Sequence, residues 1–207
     1  MSKKNRELEV KIHIADKSAL EEKLIRVGAK LIKPRQFEHN LIFDTPDEDF
    51  RKMDRVLRLR KDDCVRLTLK EHARYDAGVK DRREIEFEVD DYDAAQDFLE
   101  GLGFQVRLIY EKYRSSYHLG DVEIVVDVMP FGDFIEIEGP DAETIQATTA
   151  SLDLDVSAHI RLNYVQILER LREHHGFTFR DLTFENFQDI PMHFDDIEKV
   201  TQSDETP

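Results

Sequence analysis

The feature that most constrains this chain is a series of short segments in which charged and apolar residues alternate one by one. Over residues 7–14, Glu7, Glu9, Lys11 and His13 alternate with Leu8, Val10, Ile12 and Ile14. A period of two is the period of a β-strand, so each set occupies one face. The pattern returns at 56–61, with Arg58 and Arg60 opposite Leu57 and Leu59, and at 65–70, with Arg66, Thr68 and Lys70 opposite Leu67 and Leu69. It returns again at 83–89, where Glu84, Glu86 and Glu88 oppose Ile85, Phe87 and Val89. Lys112 and Arg114 share a face of 110–119, Glu123 and Asp127 of 122–128, and Glu136 and Glu138 of 134–138. The apolar faces call for helices packed on them. A closed or nearly closed antiparallel barrel would turn the charged rows inward.

Helix signals stand between these strands. Asp16 or Ser18 can cap a helix that carries Leu20, Leu24 and Val27 and stops at Gly28. Asp91 can cap another that runs to Leu102 and ends at Gly103. Residues 29–32 and 38–44 read as two strands, 105–109 as a short strand, 51–55 as a connector, and 71–80 as a polar loop. With Arg74, Lys80, Arg82 and Arg83 in or beside it, that loop is expected to form a charged flap at a barrel mouth. Strand, acid-capped helix, strand and long strand occur twice, from RELEVKI and from RREIEFEV, which predicts two related sheet halves. Helices are expected at 143–152 and 158–176, the second with Ile160, Tyr164, Ile167, Leu168 and Leu171 on its apolar face. The chain therefore divides into a barrel domain over 1–176, an aromatic docking segment over 177–197 and a disordered tail over 198–207. The docking segment carries Phe177, Phe179, Phe184, Phe187 and Phe194.

Charge narrows the partners. The net charge is −15, which opposes a general nucleic-acid surface and leaves room only for a local basic cavity. A single cysteine, Cys64, excludes an intrachain disulfide framework. No run approaches the 18 apolar residues of a membrane span, and the N-terminus lacks the apolar core of a signal peptide, so a cytoplasmic protein is expected.

A barrel interior lined by these rows would hold both signs of charge at high density, and neither sign is tolerated there unpaired. A polyphosphate and a divalent cation together satisfy that environment. Lys and Arg donate to phosphate oxygens, and Asp and Glu supply the hard oxygen ligands that Mg2+ or Mn2+ takes.

The ordered series Glu7-Leu8-Glu9-Val10-Lys11, Phe43-Asp44-Thr45-Pro46, Leu57-Arg58-Leu59-Arg60, Leu67-Thr68-Leu69-Lys70, Glu84-Ile85-Glu86-Phe87-Glu88, Lys112-x-Arg114, Asp127 and Phe134-x-Glu136-x-Glu138 resembles the CYTH, or triphosphate tunnel metalloenzyme, superfamily. That superfamily includes the class IV adenylate cyclases and the thiamine triphosphatases, and the motif order is most similar to its CyaB-type branch. The resemblance covers residues 5 to about 170 and implies an α+β fold, an eight-stranded antiparallel β-barrel with helices packed outside. It implies that Lys11, Arg58, Arg60, Lys70, Lys112 and Arg114 grip a triphosphate, that Glu7, Glu9, Asp127, Glu136 and Glu138 hold Mg2+ or Mn2+, and that Glu86 or Glu88 organises the basic side chains. Glu7, Glu9 and Lys11 would orient the attacking group. The implied partner is inorganic triphosphate, thiamine triphosphate or ATP, and a homodimer is compatible. Hydrolysis to orthophosphate, cyclisation of ATP to cyclic AMP and pyrophosphate, and non-catalytic binding all stay open. Ile42 stands where some relatives carry the tyrosine of a lysine–tyrosine pair, so that pair is not carried over.

Overall fold

The computed structural model describes residues 6–76 and 79–202. Its strands are β1 (Arg6–Ile14), β2 (Lys30–Asp44), β3 (Val56–Lys61), β4 (Val65–Lys70), β5 (Arg74–Asp76), β6 (Val79–Val89), β7 (Gln105–Leu119), β8 (Val122–Met129) and β9 (Gly132–Glu138). The helices are α1 (Lys17–Arg26), α2 (Asp49–Lys52), α3 (Tyr92–Gly101), α4 (Ala142–Ser151), α5 (Tyr164–His175), α6 (Phe184–Phe187) and α7 (Phe194–Gln202). Strand order runs β1-β9-β8-β7-β2-β3-β4-β6, and β6 returns to β1, with Glu7 opposite Arg82. Every pairing is antiparallel, so eight strands close a barrel and leave β5 outside as the partner of β6.

The two-fold pattern read in the sequence is visible in space. Asp16 caps α1 through Ala19 N at 2.9 Å, and Asp91 caps α3 through Ala94 N at 3.0 Å. Each helix leads into a strand of 15 residues, β2 or β7, and those two strands pair with each other. The apolar strand faces bury against helices as alternation requires. Leu20 and Leu24 of α1 and Ile145 of α4 cover Val10, Ile12, Ile124, Val126, Ile135 and Ile137. Leu99 of α3 covers Leu41, Phe43, Leu57 and Leu59.

A third cluster closes one end of the barrel. Leu108, Tyr110, Met129 and Phe134 lie on the same strand faces as the charged rows, and they pack on Ile167, Leu168 and Leu171 of α5 and Ile197 and Val200 of α7. Phe177, Phe179 and Phe187 stack there within 5.5 Å of one another. The aromatic segment thus lies on the end of the barrel, and α7 extends helix through residues 198–202, which the sequence reading placed in a disordered tail. Residues 203–207 lie outside the described residues.

Several boundaries differ from expectation for identifiable reasons. The strand pairs expected at 29–32 with 38–44, and at 105–109 with 110–119, are each one continuous strand, with register shifts at Leu31/Lys33 and Lys33/Gln36 in β2 and at Ile42/Phe43, opposite Leu108 and Val106 of β7. The connector expected at 51–55 begins inside the short helix α2, whose Phe50 and Arg51 amides donate to the Asp44 carboxylate at 2.9 Å. Part of the polar loop at 71–80 is the β5–β6 hairpin; residues 77 and 78 lie outside the described residues. The helix expected from 158 begins only at Tyr164, because residues 159–160 complete the edge of β1 instead. His159 bridges Ile12, and Ile160 N donates to Lys11 O at 2.7 Å. Asn163 then starts α5 with a reciprocal cap on Gln166.

Candidate functional site

All six cations read from the sequence point into the barrel. Lys11 comes from β1, Arg58 and Arg60 from β3, Lys70 from β4, and Lys112 and Arg114 from β7. Lys11, Arg58, Arg60 and Lys112 are each less than a tenth exposed. Their partners form a connected network. Lys11 meets Glu136 at 3.3 Å, and Arg114 meets Glu136 at 2.7 Å and both oxygens of Asp127 at 2.6–2.7 Å. Lys112 donates to Asp127 at 2.9 Å. Arg58 and Arg60 reach Glu86 at 3.4 and 3.3 Å, and Lys70 lies between Glu7 at 3.1 Å and Glu84 at 2.7 Å.

The carboxylates expected to hold metal fall into two groups. Asp127, wholly buried, and Glu136 sit on Arg114. Glu7, Glu9 and Glu138 lie together at the other end of the network, with Glu138 facing Glu9 on β1 and Glu123 on β8. Glu7 is held by Lys70 and Glu9 by Lys80. The two groups have opposite electrostatics. Burial pushes Glu136 up, but Lys11, Arg114 and Lys112 hold it well below the usual carboxylate range. Glu138 is exposed at the strand end, and partial desolvation together with Glu7, Glu123 and Glu9 pushes it up to about 8. Carboxylate charge at that end exceeds what the nearby lysines neutralise. Among the described residues, triples of metal-type ligand atoms within 4.8 Å occur at His174/His175/Asp196 and at Asp62/Asp63/Cys64, both away from these carboxylates.

Of the two carboxylates expected to organise the basic side chains, Glu86 is bonded to Arg58, Arg60 and Thr68, the last at 2.7 Å. Glu88 reaches Arg66 at 3.4 Å and is 67% exposed. The flap cations separate: Lys80 enters the network through Glu9, Arg82 is buried on the Glu71 and Asp54 carbonyls, and Arg83 pairs with Glu71 at 3.0 Å. Burial and the Glu88 contact push the Cys64 thiol up to about 12, which disfavours its thiolate. His39 bonds Tyr92 on the outer surface.

Sequence reading missed several members of this network. Glu38 is 3% exposed and lies 3.5 Å from Lys112, 3.8 Å from Arg60 and 3.9 Å from Arg114. Burial opposes its charge, yet those cations hold it down to about 2. It stands alone on its strand face rather than in a charged row, so only its alternation with Phe37 and His39 signalled it. Tyr110 accepts from Arg58 at 3.1 Å, on the same face as Lys112. By sequence periodicity Tyr164 belongs to the apolar face of α5. Its hydroxyl donates to Asp127 at 3.0 Å, and Lys11 lies 4.1 Å from its ring centroid. Burial and Asp127 push that hydroxyl well above its ordinary value, so it remains a donor. Lys11 does have a tyrosine neighbour, then, but from helix α5 rather than from the strand that carries Ile42.

Chemically, the interior offers rigid N–H donors to an anion and oxygen ligands to a hard cation. Arg58 Nε is buried and has no hydrogen-bond partner among the described residues, which fits an additional acceptor in the lumen.

Known proteins share this fold. A protein named "Putative adenylate cyclase" from Methanocaldococcus jannaschii is 33% identical over 133 residues, 64% of this chain and 75% of that protein. A structure from Vibrio parahaemolyticus of the same description superposes with a TM-score of 0.70 at 21% identity, covering 80% of this chain and 98% of that one. A Pyrococcus horikoshii protein superposes with a TM-score of 0.67 at 29% identity, covering 79% and 98%. The CYTH domain model matches residues 5–171, the span that carries the barrel and the first two turns of α5, and the chain belongs to the CYTH domain family.

Proposed function

We propose that this chain is a divalent-metal-dependent triphosphatase that hydrolyses an inorganic or organic triphosphate to orthophosphate. One observation carries the reading: Lys11, Arg58, Arg60, Lys70, Lys112 and Arg114 converge from four strands on one enclosed lumen, beside a group of carboxylates in charge excess. A chain of phosphates needs such a row of donors, and Arg58 and Arg60 present guanidinium forks to its nonbridging oxygens.

The carboxylate excess at Glu7, Glu9 and Glu138 fits Mg2+ or Mn2+, both of which take oxygen ligands. A cation bound there would neutralise phosphate charge and make bound water a better nucleophile. Asp127 and Glu136 hold Arg114 and Lys112 in place and complete the ligand set implied by the family. Lys70 and Lys80 now occupy Glu7 and Glu9 as counter-ions, so neutralising those carboxylates frees two ammonium groups for phosphate. In the reaction, water adds to the terminal phosphorus, the bond to the bridging oxygen breaks, the diphosphate leaves with that oxygen, and the terminal phosphoryl group is released as orthophosphate.

The name of the M. jannaschii relative supports a second reading, in which the ribose 3′-hydroxyl of ATP attacks the α-phosphorus and pyrophosphate leaves. Incubating the protein with inorganic triphosphate, thiamine triphosphate and ATP, each with Mg2+ or Mn2+, and resolving all products separates the two. Orthophosphate is expected. Cyclic AMP with pyrophosphate would establish the cyclase, and triphosphate binding without turnover would leave a binding protein.

A further inference from the structure

The segment that covers the barrel end meets α5 a second time at its far side. α5 ends in His174 and His175, and Gly176, at φ 74°, turns the chain out of the helix. The chain lays Phe177, Phe179 and Phe187 on the apolar cluster and returns as α7, which buries Ile197 and Val200 in the same cluster as Ile167 and Leu171 of α5. That return sets Asp196, in the first turn of α7, against the end of α5. All three residues lie beyond 5–171, the span that the CYTH model matches.

The donor atoms of His174, His175 and Asp196 lie within 4.8 Å of one another, and His175 Nε2 is 3.8 Å from Asp196 Oδ2. The two imidazole rings stand at 88° with centroids 5.0 Å apart, so their nitrogens can turn toward one point without the rings colliding. An ion of the zinc class takes such ligands at roughly 2.0–2.2 Å, which spaces them about 3.3–3.5 Å apart around a tetrahedron. Reaching that spacing asks for about 1.5 Å of movement at most, from histidine side chains at the surface. The carboxylate is open to such a partner. Asp196 Oδ2 accepts the His193 amide at 3.1 Å, and the nearest cations among the described residues are His175 at 3.8 Å and Lys199 at 4.0 Å. The trio at Asp62, Asp63 and Cys64 differs in this respect. Arg66 takes both oxygens of Asp62 at 2.9 Å, and Lys33 takes Asp63 at 3.1 Å. Two imidazoles with one carboxylate suit Zn2+ or Co2+, whereas Mg2+ and Mn2+ favour all-oxygen ligands such as those of the lumen.

We propose that His174, His175 and Asp196 form a site for a transition-metal ion of the zinc class, which ties the start of α7 to the end of α5 and fastens the C-terminal segment over the barrel end. Binding there adds to the stability of the closed segment, because the ligands come together only when 176–195 is folded back. α7 also reaches β1, the strand of Lys11: Phe194 stacks on His13 at 4.3 Å, and Glu198 lies 3.4 Å from it. The site is independent of the triphosphate reading.

Calorimetric titration of the full chain with Zn2+ tests it, after EDTA treatment and with excess Mg2+ present to occupy the lumen carboxylates. One Zn2+ per chain is expected, and Co2+ in its place should give the visible absorption of a tetrahedral site. His174→Ala, His175→Ala and Asp196→Asn should each weaken Zn2+ by roughly a hundredfold, since losing only the hydrogen-bond support of a ligand already costs about 10–100-fold. Zn2+ should raise the melting temperature of wild type and not of the variants, while all four proteins melt together in EDTA. If one variant melts lower in EDTA, the other two decide. Glu9→Gln should leave Zn2+ affinity unchanged. Loss of Zn2+ in Glu9→Gln, with the three variants unaffected, would place the ion in the lumen and overturn the site. Absence of Zn2+ binding by wild type would overturn it as well.

Discussion

The Asp127 carboxylate, wholly buried, takes donors from Lys112, Arg114 and Tyr164, and so connects β7 and β8 to helix α5. Breaking a buried ionic network from one side leaves charge uncompensated, at a cost of about 3–5 kcal/mol. Asp127→Asn should therefore lower unfolding free energy by roughly 3 kcal/mol or more in urea titrations, whereas Tyr164→Phe, which keeps the ring over Lys11, should lose about 1.5–3 kcal/mol for one hydrogen bond to a charged acceptor. Glu138 makes the opposite kind of prediction. Its folded value, about 8, lies above its ordinary 4.5. Between those two pH values the folded chain binds the proton that the unfolded chain has released, so stability falls as pH rises through that window, and the loss is complete above about 8. Glu138→Gln removes this dependence. In EDTA, its melting temperature should match wild type near pH 4 and exceed it increasingly from pH 5 to 8.

Among the elements, α5 has the most consequence for the site. Its first residue, Tyr164, is the one that enters the barrel, so the point at which the helix starts decides where that side chain sits. Asn163 sets the start through its reciprocal cap with Gln166, both bonds at 2.9 Å. Asn163→Ala should cost about 1 kcal/mol in chemical denaturation. The helix was expected from residue 158 because Ile160 and Tyr164 fit its periodicity. Local pattern does not reveal that β1 leaves an edge unpaired beyond Glu9, and that pairing demand holds 159–160 extended. The split of β2 and β7 into two strands each has a related cause. Bulges interrupt the alternation without ending the pairing, since the neighbouring strand continues to satisfy the backbone.

At the scale of the molecule, a chain of net charge −15 encloses a lumen lined by cations, each tied to a carboxylate. A polyanion alone must break those pairs, and a divalent cation alone must displace lysines. Together they exchange partners with little charge left over. Thermal unfolding with inorganic triphosphate, with Mg2+ and with both should therefore show a shift for the pair larger than the sum of the separate shifts. Ligand at a hundred times its Kd adds about 2.7 kcal/mol to stability. Strictly additive shifts would argue against a shared site.

Alternation along each strand was enough to orient Lys11, Arg58, Arg60, Lys70, Lys112 and Arg114 to one side, because the direction of a side chain on a strand follows from its parity alone. The same parity, with capping aspartates at 16 and 91, made the barrel and its two-fold pattern legible. Parity says nothing about which rows face each other across the lumen. That depends on strand order and shear, which join residues far apart in sequence: Lys70 to Glu7, Arg114 to Glu38, Tyr164 to Asp127. Closure decided that Asp127 and Glu136 sit on Arg114 while Glu138 sits among other carboxylates, and so gave residues of the same chemistry opposite electrostatics. It also decided that the barrel would part at β1 and β6, since a tyrosine at 75 and an arginine at 161 share a pocket only once the chain has closed around them.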